Sequence, residues 1–221
     1  MNRLVYFPVP GRAEASRVAL ELSGLEWEDV EVDGDTFGQM KSNGDLPWNM
    51  LPILQTANGT IAESSAILRY AGKFSGLVPE DEYEAAKADE FIDGMGPLAR
   101  VLDTTFGISD VEERIALRKS LFEVGGKGAE NLQLLENKLG ESETGWAANT
   151  TNMSIADLKL FTELFALFSG NYDGIEADVI SRYPNLMNYH SKVANEDRIL
   201  NHYSGISKDD IRWTFLPGAF S

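Results

Sequence analysis

The sequence predicts a small mixed α/β unit followed by a larger all-helical unit. Within residues 1–75, apolar β-type runs alternate with a helical pattern, which is typical of a βαβ arrangement. The dipeptide Asn58-Gly59 lies between two further β-type runs and is the strongest short-range signal for a hairpin. From residue 83 onward the periodicity is helical, so the expected fold class is α/β plus all-α.

The βαβ part is predicted from three segments. A strand is expected at Leu4–Phe7 and a helix at Gly11–Leu22, whose apolar residues recur at helical spacing. The alternating residues Glu28–Val32 predict a second strand, parallel to the first through a right-handed crossover. Asp33–Lys41 is short and polar, and one or two helical turns are expected there.

A hairpin and a helix complete this first unit. The run LPILQTANGTIAE predicts two antiparallel strands, and Ser64–Phe74 is predicted to be a helix that Gly76 ends. Ser75–Glu82 is polar, contains a proline and precedes a change of pattern. We therefore interpret it as a linker after a first domain that spans residues 1–75.

The rest of the chain is predicted to form a second, all-helical domain at residues 83–221. Its clearest periodic segments are 83–106, 111–139, 154–169 and 185–203. Ser154 and Asp157 have the spacing of a capping box. In this motif the serine hydroxyl accepts from the backbone amide at the position of the acid, and the carboxylate accepts from the backbone amide of the serine. A helix is therefore expected to begin at Ser154.

Composition and charge exclude several classes of function. The chain has 35 acidic and 19 basic side chains, and its formal net charge of −16 makes nucleic acid and anionic membranes unlikely partners. Cysteine is absent, which excludes disulfides, thiolate metal sites and a cysteine nucleophile of the protein's own. We recognise no signal peptide and no apolar run of about 20 residues, so a cytoplasmic location is expected.

Tyr6 and Arg12 lie on either side of a Pro-x-Pro-Gly turn between the first strand and the first helix. The simpler interpretations are a half-buried strand aromatic for Tyr6 and a solvated first-turn residue for Arg12. A cation at a helix N-terminus opposes the helix dipole, however, which indicates that positive charge is needed there. The turn therefore predicts that the two side chains converge on one group.

Two further motifs fit an extended peptide ligand. Pro52 stands immediately before a strand, and in the cis form it would leave the amide and carbonyl of Leu51 free to bind a peptide like an added strand. Ser64 begins a helix, and a helix N-terminus with a hydroxyl can bind a carboxylate. The simpler interpretations are an ordinary trans proline and a plain N-cap serine.

In this order the motifs resemble those of the cytosolic glutathione transferases, most nearly the sigma class, which includes glutathione-dependent prostaglandin D synthase. The resemblance covers essentially the whole chain and rests on LVYFPVPGRAE near the N-terminus, Leu51-Pro52, Glu63-Ser64, and SIADL in the second half. It implies a thioredoxin-like domain followed by an all-helical domain, usually in a homodimer, with glutathione as co-substrate.

The resemblance also implies roles for individual residues. Tyr6 takes the position of the catalytic tyrosine that hydrogen-bonds the glutathione sulfur, and Arg12 that of the arginine near the thiolate. Lys41 matches the lysine that holds the glycyl carboxylate, Leu51 the contact to the cysteinyl unit, and Ser64 the serine that binds the γ-glutamyl carboxylate. The glutathione-binding positions implied are Tyr6, Phe37, Lys41, Met50, Leu51, Pro52, Glu63 and Ser64. Three of them depart from the family's commoner residues: Phe37 stands where tryptophan is usual, and Met50 and Glu63 stand where glutamine is commoner.

The C-terminal domain departs from the family in one region. Gly96 and Pro97 occupy the place where the family often has an acid that reaches glutathione across the dimer. Asp93 remains, but the acidic cluster that binds a divalent metal in the prostaglandin synthases does not. The resemblance therefore leaves the cross-subunit contact open, and no metal is expected.

The electrophile is expected to be apolar. Its pocket is predicted beside Phe7, Val9 and Met95, the last of these in the helix that begins near residue 83. The aromatic tail of the chain has two interpretations: it closes this pocket, or it packs as an edge of the core. The tail residues concerned are Trp213, Phe215 and Phe220.

The function implied is that of a detoxifying transferase that activates the glutathione thiol as a thiolate. A free thiol has a pKa near ~8.5, whereas Tyr6 keeps its proton at neutral pH and can donate to a sulfur anion. The absence of cysteine fits, because the co-substrate brings the nucleophile. Two alternatives stay open: a glutathione-dependent isomerase that uses the same thiolate, and a non-catalytic scaffold protein with the same fold.

Overall fold

Four strands form a mixed sheet in the first part of the chain. They are β1 (Asn2–Tyr6), β2 (Trp27–Glu31), β3 (Ile53–Thr56) and β4 (Gly59–Ala62), in the spatial order β2-β1-β3-β4. β1 pairs in parallel with β2 and antiparallel with β3, and β3 pairs antiparallel with β4. The structure is a computed structural model that describes residues 1–220, and it confirms the predicted parallel pair and the predicted hairpin.

Three helices accompany the sheet: α1 (Glu14–Leu22), α2 (Gly34–Asn43) and α3 (Ser64–Ser75). α1 packs against α3, and a 3₁₀ turn at Gly11–Ala13 leads into α1. α2 is longer than the one or two turns expected. The Asp33 side chain accepts from the Thr36 amide at 2.8 Å at its start, and Gly44 ends it with φ +77°. The Asp33 cap and Gly44 both act locally, and they do not depend on a buried apolar face because no α2 residue is buried.

The rest of the described chain is helical, as predicted. Its α-helices are α4 (Glu82–Gly94), α5 (Gly96–Ala99), α6 (Val111–Phe122), α7 (Lys127–Glu141), α8 (Ile155–Leu167), α9 (Pro184–Ala194) and α10 (Asp197–His202). Further 3₁₀ segments lie at Asp103–Thr105, Ala177–Arg182 and Ile211–Phe215. None of the helices within residues 1–220 combines the length and apolarity needed to cross a bilayer.

Three predicted helical segments are divided in the structure. Segment 83–106 stops as a helix at Gly94 and continues only as the short α5, because Gly96 weakens the helix and Pro97 lacks an amide hydrogen. Segment 111–139 is divided near Gly125, which has φ +84°. Segment 185–203 is divided before α10, whose start is capped by the Glu196 side chain. The prediction of continuous helices was wrong at these points.

α8 is the central helix of the protein. Eleven of its thirteen residues are buried, and it contacts α1, α3, α4 and α9. The predicted capping box is confirmed: the Ser154 amide donates to Asp157 at 2.8 Å, and the Ala156 amide donates to the Ser154 hydroxyl at 3.3 Å. Asp157 also accepts from the Ala147 amide at 2.7 Å and from the Tyr189 hydroxyl at 3.0 Å. These bonds fix the start of the helix that supports the sheet domain.

A buried carboxylate in α1 binds the last part of the chain. Glu14 is fully buried and accepts from the Tyr203 hydroxyl at 3.1 Å, from Arg212 Nε at 3.2 Å and from Arg17 Nη1 at 3.0 Å. Burial raises the pKa of Tyr203 well above its ordinary value, so this phenol remains a donor. One buried network therefore joins the two ends of the chain.

The aromatic tail packs against the core. Phe215 is buried, with its ring centroid 5.5 Å from that of Phe161, and the Phe220 ring lies 5.6 Å from that of Phe165. Neither residue, nor Trp213, lines either of the two cavities described below. Of the two interpretations of the tail, core packing is the one that the structure supports.

Protonation of buried histidine is expected to destabilise the protein in mild acid. His190 is 3% exposed, its Nε2 lies 2.8 Å from the Thr214 carbonyl, and burial lowers its pKa. Its unfolded pKa is near ~6.5. The contribution of neutral His190 is therefore complete above about pH 6.5 and is lost as the pH falls below it, by up to about 1.4 kcal/mol per pH unit.

Urea unfolding between pH 5 and 7 tests this expectation. His190→Gln should give a shallower fall of the unfolding free energy with acid than the unmodified protein. His202 is the only other histidine in the chain, and burial lowers its pKa too. His202→Gln is therefore the variant with which His190→Gln is compared. Equal slopes in the unmodified protein and in His190→Gln would contradict the assignment.

Candidate active site

A cavity of about 620 Å³ lies between the sheet domain and the helices. A smaller cavity of about 50 Å³ adjoins it, since Arg12, Met50 and Leu51 line both. The predicted site residues that line one cavity or the other are Tyr6, Phe7, Val9, Arg12, Phe37, Lys41, Met50, Leu51, Pro52, Glu63 and Ser64. Residues from four separate segments of the chain are thus brought to one place.

Met95 is the predicted site residue that the structure does not bring to either cavity. It lies at the junction of α4 and α5 and is 2% exposed in the core. The prediction assumed a continuous helix, and the break beside Gly96 changes which side chains face the cavity. Leu98, Val101 and Leu102 supply this part of the wall.

Tyr6 stands at the end of β1 with its hydroxyl beside the start of the next helix. The Arg12 amide donates to this hydroxyl at 3.2 Å. Burial raises the pKa of Tyr6, although the Arg12 amide and the charges of Arg12 and Arg17 oppose the rise. The phenol therefore stays protonated at neutral pH. Because its oxygen already accepts from Arg12, its proton is free for a bond to a ligand.

Gly11 makes this close approach possible. Its φ is +45°, and a Cβ at this position would lie 2.7 Å from the Tyr6 hydroxyl oxygen. A larger residue would have to displace that hydroxyl as well as adopt an unfavourable backbone conformation. The sequence indicates the turn but not this steric requirement.

Arg17 holds the backbone of the same turn. It is 3% exposed, and its guanidinium donates to the carbonyls of Phe7 at 3.2 Å, Val9 at 2.9 Å and Pro10 at 3.1 Å. It also donates to Asp29 on β2 at 2.7 Å. The role of Arg17 in holding this turn was not predicted from the sequence. The only indication of it there is an arginine within a helix of largely small and apolar residues.

The Arg12 guanidinium is held by a carboxylate from the helical region. Its Nη2 donates to both Asp103 oxygens, at 2.8 and 3.0 Å, and to the Ala99 carbonyl at 3.3 Å. The positive charge expected beside the sulfur is therefore shared with Asp103. Arg12 acts on Tyr6 directly through its backbone amide.

The peptide-binding features have the expected backbone geometry. The Leu51–Pro52 peptide is cis. Within residues 1–220 the Leu51 amide and carbonyl make no hydrogen bond. In the part of the chain that the structure describes, no side chain caps the start of α3, so its first amides are unpaired beside Ser64, which is a favourable place for an anion. Glu63 precedes it with φ +70°, a strained conformation of the kind found at ligand sites.

A buried ion pair from α8 lies next to both cavities. Lys159 Nζ is 2.5 Å from Glu163 Oε1, and the two side chains are 6% and 7% exposed. Lys159 also donates to the Ser64 hydroxyl at 3.4 Å, whereas Glu163 lines the larger cavity. Neither Glu163 oxygen accepts a hydrogen bond of good geometry within residues 1–220. The i, i+4 spacing of Lys159 and Glu163 is visible in the sequence, but the contact with Ser64 is not, because Lys159 and Ser64 are 95 positions apart.

Two residues of α2, Phe37 and Lys41, line the larger cavity beside Phe7. Lys41 lies one turn after Phe37, its Nζ 5.3 Å from the Phe37 ring centroid, and the Phe37 ring packs edge-on to that of Phe7 at 5.4 Å. Asp93, by contrast, forms an ion pair with Arg69 at 2.8 Å. Within the described residues 1–220, no group of three or more histidine or acidic side chains is arranged to hold a metal ion.

Comparisons with known proteins agree with this architecture. The family model for the glutathione S-transferase N-terminal domain matches residues 2–73, and the model for the C-terminal domain of the same family matches residues 110–204. Glutathione S-transferase P of Bos taurus is 37% identical over 95 residues, which cover 43% of this chain and 45% of that protein.

Two longer matches involve prostaglandin D synthases. The hematopoietic prostaglandin D synthase of Gallus gallus is 27% identical over 191 residues, covering 86% of this chain and 89% of that protein. The solved structure of prostaglandin synthase D of Nilaparvata lugens has the same fold, with a TM-score of 0.79, 23% identity, and coverage of 94% of this chain and 98% of that one. From both domain matches, the chain belongs to the glutathione S-transferase family.

Proposed function

We propose that this protein is a glutathione transferase that binds glutathione in the two adjoining cavities and activates its thiol as a thiolate. The observation that carries the proposal is the Tyr6 hydroxyl, which is protonated, lines the larger cavity and has its proton free for a ligand. A hydrogen bond from this phenol favours the thiolate over the thiol and so lowers the pKa of the bound sulfur. The absence of cysteine leaves the co-substrate as the source of the nucleophile.

The two domains have separate tasks in this proposal. Residues 1–75 bind glutathione: Lys41 holds the glycyl carboxylate, the Leu51 backbone holds the cysteinyl unit, and the start of α3 with Ser64 holds the γ-glutamyl carboxylate. Residues 83–221 complete the apolar wall against which the electrophile packs. No metal ion takes part.

Ser64→Ala is expected to weaken glutathione binding. The γ-glutamyl carboxylate would lose one hydroxyl donor at a partly buried site, which costs about 1–3 kcal/mol. This corresponds to a dissociation constant raised by roughly 5- to 150-fold. Isothermal titration calorimetry with glutathione measures the change directly.

Ser65→Ala is the matched control, because it also removes a serine hydroxyl, but from the next residue, which lines neither cavity. Its affinity for glutathione should stay close to that of the unmodified protein. Unchanged affinity in Ser64→Ala, or an equal loss in both variants, would count against the assignment of the γ-glutamyl site.

The alternative function is a glutathione-dependent isomerase, favoured by the match to the prostaglandin D synthase of Gallus gallus over most of the chain. Both reactions use the same thiolate and differ in the electrophile. Turnover with glutathione should be measured with an aryl halide and with a prostaglandin endoperoxide. Conjugation of the halide supports the transferase, rearrangement of the endoperoxide supports the isomerase, and binding without turnover of either supports a non-catalytic scaffold.

We further propose that the protein detoxifies small apolar electrophiles as a cytoplasmic homodimer. The support is the family likeness, together with large apolar side chains that the isolated chain leaves exposed, two of which line the smaller cavity. Trp48 is 68% exposed, Met50 48% and Phe74 50%. Sedimentation equilibrium tests the dimer, because a monomer mass at micromolar concentration would contradict it.

A further inference from the structure

An ion pair buried in α8 has no part in the function proposed above. Lys159 and Glu163 are one helical turn apart, with Nζ and Oε1 separated by 2.5 Å, and their side chains are 6% and 7% exposed. Removing two charges from water is costly, so a buried pair of this kind is weak evidence for a role in stability. The neighbours of the pair indicate a role in ligand binding.

The pair lies beside both cavities. Glu163 lines the larger cavity, and Lys159 Nζ lies 3.4 Å from the hydroxyl oxygen of Ser64, which lines the smaller one. Lys159 itself lines neither cavity. Because α8 contacts α3, a charge of the helical domain reaches the start of α3 through Ser64. This is the place assigned above to the γ-glutamyl carboxylate.

The contact with Lys159 fixes the direction of the hydrogen bond at Ser64. An ammonium group donates and cannot accept, so the Ser64 oxygen is the acceptor and its own proton remains available for a ligand. At 3.4 Å this hydrogen bond is long, so the larger effect on an anion at Ser64 is the attraction of the positive charge itself. Since Lys159 is almost completely buried, water screens this attraction little.

An anion in the smaller cavity needs such a positive charge. Glu63 lines this cavity and is exposed, so its carboxylate would repel the carboxylate of a ligand. Arg12 lines the cavity too, but its guanidinium is paired with Asp103 at 2.8 Å. Lys159 supplies further positive charge to the same place through its contact with Ser64.

Glu163 limits the charge that Lys159 can offer. Within residues 1–220 neither Glu163 oxygen accepts a hydrogen bond of good geometry, so its contact with Lys159 is an ion pair without further donors. A ligand carboxylate at Ser64 and the Glu163 carboxylate therefore compete for one ammonium group. Loss of the Glu163 charge should favour the ligand, whereas a pair needed only for folding would be damaged by the loss of either member.

We propose that Lys159 is a positioning residue for glutathione. It supplies positive charge that favours the γ-glutamyl carboxylate at Ser64, and Glu163 determines how much of that charge is available. The inference rests on the proposed transferase function and adds a residue of the helical domain to a binding site assigned above to residues 1–75. It predicts that neutralising the two members of the pair changes glutathione affinity in opposite directions.

Lys159→Met tests the proposal with two tripeptides, glutathione and 4-aminobutanoyl-cysteinylglycine, which differs from glutathione only in lacking the γ-glutamyl carboxylate. We expect the dissociation constant of glutathione, measured by isothermal titration calorimetry, to rise roughly five- to fiftyfold, as for the loss of one charge near a partly buried site. The dissociation constant of the analogue should change by less than about twofold, because it has no carboxylate for Lys159 to attract.

Glu163→Gln tests the opposite direction. Glutamine keeps the shape of the side chain but carries no charge, so Lys159 loses its competing partner. We expect the dissociation constant of glutathione to fall by roughly two- to tenfold. Lys87→Met and Glu90→Gln are the matched controls, because they remove an exposed ion pair of α4 whose members line neither cavity. Neither control should alter glutathione binding.

Thermal melting identifies a temperature at which every variant is folded, and the titrations are made there. The role of Lys159 would be overturned if Glu163→Gln binds glutathione no more tightly than the unmodified protein. An equal loss for glutathione and its analogue in Lys159→Met would overturn it as well, and in both cases the transferase function stands. If the unmodified protein does not bind glutathione, the proposed function fails and this inference fails with it.

Discussion

Tyr6→Phe is expected to reduce turnover by roughly ten- to a hundredfold near neutral pH while the fold and most glutathione binding remain. The ring keeps its packing, with the Phe7 centroid 5.3 Å away and the Arg17 guanidinium carbon 5.8 Å away. What disappears is the hydrogen bond to a charged sulfur, worth about 1.5–3 kcal/mol, together with the bond that the hydroxyl accepts from the Arg12 amide. At about 1.36 kcal/mol per pKa unit, the pKa of the bound thiol should rise by roughly one to two units.

The sign of the pH dependence follows from this rise. Below the thiol pKa of the unmodified enzyme, the variant holds less thiolate and its deficit is greatest. As the pH rises past the higher pKa of the variant, the thiol ionises unaided and the deficit shrinks. Turnover of the variant should therefore approach that of the unmodified enzyme in alkaline solution.

Ultraviolet absorbance of the bound thiolate, titrated in both proteins, measures the shift without depending on the electrophile. Tyr83→Phe serves as control, because its phenol is 74% exposed and lines neither cavity. If the Tyr6→Phe and unmodified titrations coincide, Tyr6 is only a strand aromatic, and another donor activates the sulfur.

Asp157→Ala is expected to lower the free energy of unfolding by about 3–5 kcal/mol, a large part of the total stability of an ordinary domain. Asp157 is fully buried and its carboxylate accepts from the amides of Ala147 and Ser154 and from the Tyr189 hydroxyl. The variant would leave these buried donors without an acceptor, at about 1–3 kcal/mol for each group that stays unpaired. Burial itself raises the pKa of Asp157, so its hydrogen bonds are what make the site tolerable for a carboxylate.

Urea unfolding followed by circular dichroism measures the change. Asp209→Ala is the matched control, because it removes a carboxylate from an exposed residue and should alter the unfolding free energy by less than about 0.5 kcal/mol. The loss of unfolding free energy in Asp157→Asn should fall between the losses in these two variants, since the asparagine amide oxygen can replace only part of the acceptor capacity of the carboxylate. An unchanged urea midpoint in Asp157→Ala would show that the capping box does not support the fold.

The features predicted best from the sequence are those encoded by adjacent residues. The hairpin at Asn58-Gly59 and the capping box at Ser154 depend on the chemistry of two to four positions, and both were confirmed. The helix breaks beside Gly96 and Gly125 were missed although glycine and proline mark them, because apolar periodicity was given more weight than these residues.

Contacts between distant parts of the chain could not be predicted in the same way. The pairing of Arg12 with Asp103 joins positions 91 apart, and it depends on how the break after α4 places the next turn. For the same reason Met95 was assigned to the electrophile pocket but lies in the core. The residues taken from the family resemblance nevertheless meet at the adjoining cavities, because that resemblance carries three-dimensional information that local patterns lack.

The buried Glu14 network has a consequence for the order in which the chain is made. During synthesis α1 leaves the ribosome long before Tyr203 and Arg212 exist, and until they arrive Glu14 lacks two of its three donors. Only Arg17, on the same helix, can pair with it in the meantime. The Glu14 network is therefore completed only when Tyr203 and Arg212 have been made, and a chain that terminates before Arg212 should be less stable in its N-terminal domain, far from the missing residues.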